Sequence, residues 1–106
     1  PPPPPPPPNE TPVVNAGGDQ TILLGVSYTL NASFSDPDNG PWNWTVDWGD
    51  GTSSSGAKSS PGSISPSHTY SGTALLGSHL ITVTVTDSVG ASGSDSKTLH
   101  VVLSLP

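Results

Sequence analysis

Two pairs of carboxylates stand close enough along the chain to share a task. Asp36 and Asp38 are two residues apart in Asp36-Pro37-Asp38-Asn39-Gly40-Pro41, beside an Asn. Hard oxygen donors at that density suit Ca²⁺. The helix-loop-helix calcium pattern is not met, because neither a third Asp nor a distal Glu follows at the required spacing. Turn formation competes for the same residues. Asp47 and Asp50 form the second pair. Two carboxylates can serve as acid and base on a glycoside, but they need a cleft that holds a sugar. A chain of 106 residues rarely builds one, so the expected task of this pair is to organise a turn. His68, His79 and His100 are scattered, and Cys is absent, which excludes disulfides and thiol chemistry. No Gly-x-Ser-x-Gly elbow, His-Glu-x-x-His or Gly-x-x-x-x-Gly-Lys motif occurs. The reading is a non-enzymatic protein that requires no cofactor, with Ca²⁺ as the one candidate ion.

The element that must position these groups is the stretch from Trp42 to Gly51. Trp42, Trp44, Val46 and Trp48 share one parity, and Asn43, Thr45 and Asp47 the other. Such period-two alternation marks a strand with one buried face. All three Trp lie here, so the largest apolar areas of the chain meet at one place. Gly49-Asp50-Gly51 then breaks the strand, since Gly reaches backbone angles other residues avoid and Asp can bond its own following backbone. This strand is expected to be the centre of a β-sandwich core. Trp42, just after Pro41, is a candidate exposed contact at the sandwich tip.

Around it, Val13 to Ile22 reads as a first strand with a kink at Gly17-Gly18 that lets it cross between sheets. Val26 to Phe34 reads as a second strand, with Val26, Tyr28, Leu30, Ala32 and Phe34 inward. Thr52 to Ser67 is rich in Ser, Gly and Pro, with Ile64 as an isolated apolar residue; it is expected to be a mobile loop holding a short edge strand. In the loop from Ser71 to Gly77, Leu75 and Leu76 are either a contact patch or fold back onto a sheet edge. His79 to Asp87 is the clearest strand, with Ile81, Val83 and Val85 inward and β-branched residues at nearly every position. Ser96 to Leu103 closes the fold, with Leu99 and Val101 inward.

Composition sets further bounds. Of 14 Pro, eight form the run Pro1 to Pro8, which should make a polyproline II rod about 25 Å long at roughly 3.1 Å per residue. The expected organisation is a Pro-rich linker over 1–11, one all-β domain over 12–103 and the start of a next linker at 104–106. Lys58 and Lys97 are the only fixed cations against eight acids, a net charge of −6. That balance argues against nucleic acid or anionic membrane as partner. The longest apolar runs are about three residues, too short for a membrane span. Asn9, Asn31 and Asn43 each head an Asn-x-Ser/Thr sequon. Asn31 and Asn43 fall on outward strand faces, and Asn9 is expected to be the most accessible.

Four motifs resemble the polycystic kidney disease (PKD) domain, an immunoglobulin-like module. Trp44-Thr45-Val46-Asp47-Trp48-Gly49-Asp50-Gly51 is similar to its Tyr-x-Trp-Asp-Phe-Gly-Asp-Gly motif, with Val46 where the family has Trp and Trp48 where it has Phe. Pro12 to Thr21 resembles the family's opening, and Tyr28 to Gly40 its Ser-Asp-Pro-Asp-Gly loop with Asn39 added. Ser67-His68-Thr69-Tyr70 matches the His-x-Tyr signature before the last hairpin, whose turn Asp87-Ser88-Val89-Gly90 follows the pattern too. The resemblance implies an all-β, Ig-like sandwich of about seven strands over Pro12 to Leu103. It gives His68 and Tyr70 structural roles, with the Tyr70 hydroxyl bonding backbone at a corner. It also adds Asp87 to Asp36 and Asp38 as a third calcium ligand. Family members are non-catalytic parts of secreted or cell-surface proteins, so the expected role is extracellular: a spacer and protein-protein interaction or adhesion unit, partnered by other domains or copies of the chain. Two alternatives stand beside it. One is a structural subunit of an extracellular fibre or wall, assembled through the Pro run. The other is an accessory module that binds polysaccharide through exposed aromatics, for which burial of Trp42 is the deciding observation.

Overall fold

The computed structural model describes residues 2–4, 8–37 and 39–104. Pro1, Pro5 to Pro7 and Pro106 lie outside the described residues, so the rod expected over the whole Pro run does too. Among the described residues there are ten strands and one short 3₁₀ turn: β1 (Val13–Asn15), β2 (Gln20–Leu23), β3 (Ser27–Thr29), β4 (Ala32–Ser35), β5 (Trp42–Asp47), β6 (Ser53–Lys58), β7 (Gly62–Ile64), β8 (Ser67–Thr69), the turn Thr73–Leu75, β9 (Gly77–Thr86) and β10 (Ser92–Val102). They make a five-stranded sheet in the order β2-β10-β9-β5-β6, a three-stranded sheet β1-β4-β7 and a pair β3-β8. Inward residues of all three build one core. Val46, Ile81, Val83, Val85, Leu99 and Val101 come from the large sheet, and Tyr28, Ala32, Phe34 and Ile64 from the smaller ones. This is the Ig-like sandwich expected.

The first strand crosses between sheets at its glycines. β1 pairs antiparallel with β4, while β2 pairs parallel with β10. Gly17 has φ +86°, and a Cβ there would come within 2.9 Å of the Asn31 carbonyl oxygen. Two carboxylates stitch the crossing segment onto β10: Ala16 N donates to Asp95 Oδ2 at 2.8 Å, and Thr98 N to Asp19 Oδ1 at 2.8 Å. The incoming chain therefore tracks β10 along its length. It meets Gly93 at Pro12, Asp95 at Ala16 and Leu99 at Gln20, and reaches Val102 at Leu23.

Three expectations need correction. The segment Val26 to Phe34 is two strands, because Leu30 N leaves the ladder to donate to Pro66 O at 2.9 Å; Val26 falls outside the break, 52% exposed. Thr52 to Ser67 is largely strand. β6 pairs with β5 over its whole length, and Ile64 on β7 is buried in the core. The ladder donated by β5 holds β6 in place, and Gly56 lets the ring of Trp44 lie on it, since a Cβ there would sit 2.6 Å from Trp44 Cζ2. The closing strand starts at Ser92, four residues before the expected Ser96. Hydroxyl pairs across β9 and β10 extend it, Thr86 with Ser92 at 2.8 Å and Thr82 with Ser96 at 3.1 Å.

Candidate functional site

At one pole the turn after β5 and the strand β8 assemble the residues that sequence analysis singled out. Asp47 Oδ1 accepts from Gly49 N at 2.9 Å. Asp50 Oδ1 accepts from Thr52 N at 3.1 Å and from the Thr52 hydroxyl, while Asp50 Oδ2 lies 2.7 Å from His68 Nε2. Trp48 N donates to Thr52 O at 3.1 Å and closes the turn over Gly51. His68 stacks on Trp48 with ring centroids 4.8 Å apart and planes at 16°. Tyr70 meets His68 edge-on, and its hydroxyl donates to Trp48 O at 2.6 Å. His79 stacks on the other face of this group, 5.0 Å from Tyr70, with its ring nitrogens at Leu75 O and Gly49 O. The carboxylates, the Tyr70 hydroxyl and the stacked rings hold the turn to β8, and the arrangement is a corner lock. Asp47 and Asp50 fix the turn, as expected. His100 stands apart on β10, exposed, against Ser78 Oγ at 3.2 Å.

The lock makes folding sensitive to acid. Burial raises the Asp50 carboxyl, but the Thr52 hydroxyl, the His68 ring and the Thr52 N–H outweigh it and hold it below its ordinary 3.8. Burial, followed by the Asp50 charge, pushes the Tyr70 phenol far above its ordinary range. A carboxyl whose folded pKa is depressed contributes stability that is complete above 3.8 and is lost as pH falls through the folded value. The urea midpoint is therefore expected to hold from neutral pH to about 5 and to drop below about 4. In Asp50→Asn that drop becomes shallower; an identical acid limb in the variant would remove Asp50 from the account.

The opposite pole carries the loop read as a calcium candidate. Asp36 is buried and its Oδ2 accepts from Trp42 Nε1 at 2.9 Å. Asp38 lies outside the described residues. Asp87 directs Oδ1 to the N–H groups of Val89 and Ala91, at 3.0 and 2.9 Å, and Oδ2 to Asn9 Nδ2 at 2.9 Å. Burial raises its carboxyl, but the donors from Asn9, Ala91, Val89 and Gly90 prevail and hold it below the usual range. Among the described residues no group of three or more acidic or His side chains is arranged to hold a metal ion.

Trp42 corrects a further expectation. It is buried edge-on against Phe34 at 5.4 Å, so it is no surface contact and offers no aromatic platform for sugar. Its parity had placed it with Val46 and Trp48, and parity prevailed over its position next to the loop. Leu75 packs against the core, whereas Leu76 is exposed. Asn31 is exposed in the break between β3 and β4, and Asn43 is exposed on β5. Asn9 is exposed as a residue, yet its amide donates to Asp87 and accepts from Asn39 Nδ2. Its attachment atom, Nδ2, is engaged with Asp87.

Sequence reasoning missed two groups. One is the Asn9 contact, which joins residues 78 apart. The other is Lys97, buried between the sheets with Nζ donating to Gln20 Oε1 at 2.9 Å and Tyr28 Oη at 2.8 Å. Its parity with Leu99 and Val101 was the available signal.

The chain matches the family described as PKD domain over residues 9–103. Among solved structures, the PKD domain of an M14-like peptidase from Thermoplasmatales archaeon SCGC AB-540-F20 is similar, with a TM-score of 0.72 and 22% sequence identity, covering 92% of this chain and 99% of that one. At that identity the likeness is one of fold. No curated protein matches the chain.

Proposed function

The chain belongs to the PKD domain family, typically non-catalytic modules of extracellular proteins, and from that premise we propose that it is a spacer and protein-protein interaction unit of such a protein. One observation carries the reading: the chain comes in at one pole and leaves at the other. Asn9 and Pro12 lie beside Asp87 and Gly93, at the end of β9, whereas β10 runs away from there and finishes opposite Gly77. Eleven residues of β10 at about 3.4 Å each set the two ends roughly 35 Å apart. Tension applied between those ends loads the parallel β2–β10 ladder along its strands, so its hydrogen bonds resist together. The outer face of the large sheet, with Asn43, Thr45, Thr84, Thr86, Ser94 and Ser96, is hydroxyl-rich, with Asp47 at the end of β5 on the same side. Such a face supports short-range polar contact with a neighbouring domain. Aromatic recognition of polysaccharide loses its support with the burial of Trp42.

The test places a folded reporter domain on each end of the chain and measures their separation by small-angle scattering. Reporters held apart across the long axis, with the mass of a monomer, are the expected result. Reporters side by side would sink the spacer reading.

A further inference from the structure

We propose that Asn9, Asp87 and Asn39 form a clamp that fixes the direction in which the proline segment leaves the sandwich. The inference rests on the spacer reading and adds how such a spacer holds orientation. Asn9 belongs to none of the strands, yet both ends of its amide are used. Nδ2 donates to Asp87 Oδ2 at 2.9 Å, and Oδ1 accepts from Asn39 Nδ2. The orientation of the amide follows from chemistry, because an ionised carboxylate only accepts and so must face the NH₂ group.

The two partners are themselves held. Asp87 is 4% exposed. Its second oxygen is occupied by the N–H groups of Val89 and Ala91, and its own N–H donates to Ala91 O at 2.9 Å. Ser88 N donates to Asn39 O at 2.8 Å, which ties the Asn39 loop to the turn after β9. A second anchor lies three residues on. Pro12 is buried, and its carbonyl oxygen rests so close over Gly93 that a Cβ there would be 1.9 Å away. Glu10 and Thr11 between the anchors are exposed. Two fixed points on a short segment define a line, and that line is handed to Pro8. An unclamped Asn9 would leave the segment free to pivot at Pro12.

The measurement is ¹⁵N relaxation on the whole chain, reading the backbone order parameters of Glu10 and Thr11. In the unaltered chain they are expected near 0.85, the value of rigid backbone, and in Asn9→Ala below about 0.6. Asn9→Asp sets a second carboxylate against Asp87 and is expected to give the same fall. Amide shifts of β9 and β10 report that the sandwich stays folded in both variants. Low order at Glu10 and Thr11 in the unaltered chain overturns the clamp, as does order retained in either variant. Failure of the spacer reading shows elsewhere, in the separation of the end reporters, so the two outcomes are distinguishable.

Discussion

Trp48→Ala is expected to lower stability by about 3–5 kcal/mol, the range for truncating a large aromatic in a core. Trp48 is 0% exposed and packs on both strands of the β3-β8 pair. Tyr28 meets it edge-on at 6.5 Å and His68 stacks on it at 4.8 Å. Its removal opens a cavity that those rings cannot fill without losing the Tyr70–Trp48 and His68–Asp50 bonds. Ser54 Oγ also loses its donor, Trp48 Nε1 at 2.9 Å. Small domains are stable by roughly 5–15 kcal/mol in total, so this variant should sit near or past its unfolding midpoint at modest denaturant. Trp44→Ala supplies the comparison. Trp44 is half-buried and lies over Gly56 at the open side of the sheet, and its truncation should cost clearly less. Urea titration of both variants checks the order. Equal midpoints would show that the corner, as described, is not where the fold is held.

How far the sequence discloses this corner depends on which interactions are local. Parity along Trp42 to Trp48 and along His79 to Asp87 is a property of a few adjacent residues, and it names the inward face of β5 and β9 without knowledge of partners. The Asp47 and Asp50 turn bonds span two residues each, and they too are legible. The His68–Tyr70 pair required the family resemblance, since its partners, Trp48 and Asp50, lie about twenty residues away. β6 was misread for the converse reason. Ser53 to Lys58 has almost no apolar content and is a strand only because β5 presents an open ladder. The break at Leu30 is likewise written in Pro66, 36 residues on. Asn9 shows the limit most clearly. Its sequon is visible in three letters, but the contact that engages its amide comes from the far end of β9. Lys97 was open to inference, because a Lys at an inward position between Ile81-side strands must find acceptors, and Gln20 and Tyr28 are both polar groups on strands beside it.

Gly49→Ala should be the second most damaging of the simple substitutions, for two separable reasons. Gly49 has φ +77°, in the left-handed region, where a side chain costs about 1–2 kcal/mol. In addition, a Cβ at this position would come within 2.5 Å of Leu80 O and 3.1 Å of Leu80 N. Both are backbone atoms of β9, the strand that pairs on both sides with β5 and β10, so neither can retreat alone. Forcing a methyl group into such a contact costs a further 1–3 kcal/mol or so, and the sum is about 2–5 kcal/mol. Gly51→Ala separates the terms. Gly51 has φ +90°, but a Cβ there meets nothing within 4 Å, so only the conformational cost of about 1–2 kcal/mol applies. Urea unfolding at constant m-value, which marks a change in stability alone, gives the difference between the two variants. A gap of about 1 kcal/mol or more assigns the excess to the Leu80 backbone. Equal losses would mean that the turn moves off β9 as a unit, and that the close approach of Gly49 to Leu80 contributes nothing to why glycine stands there.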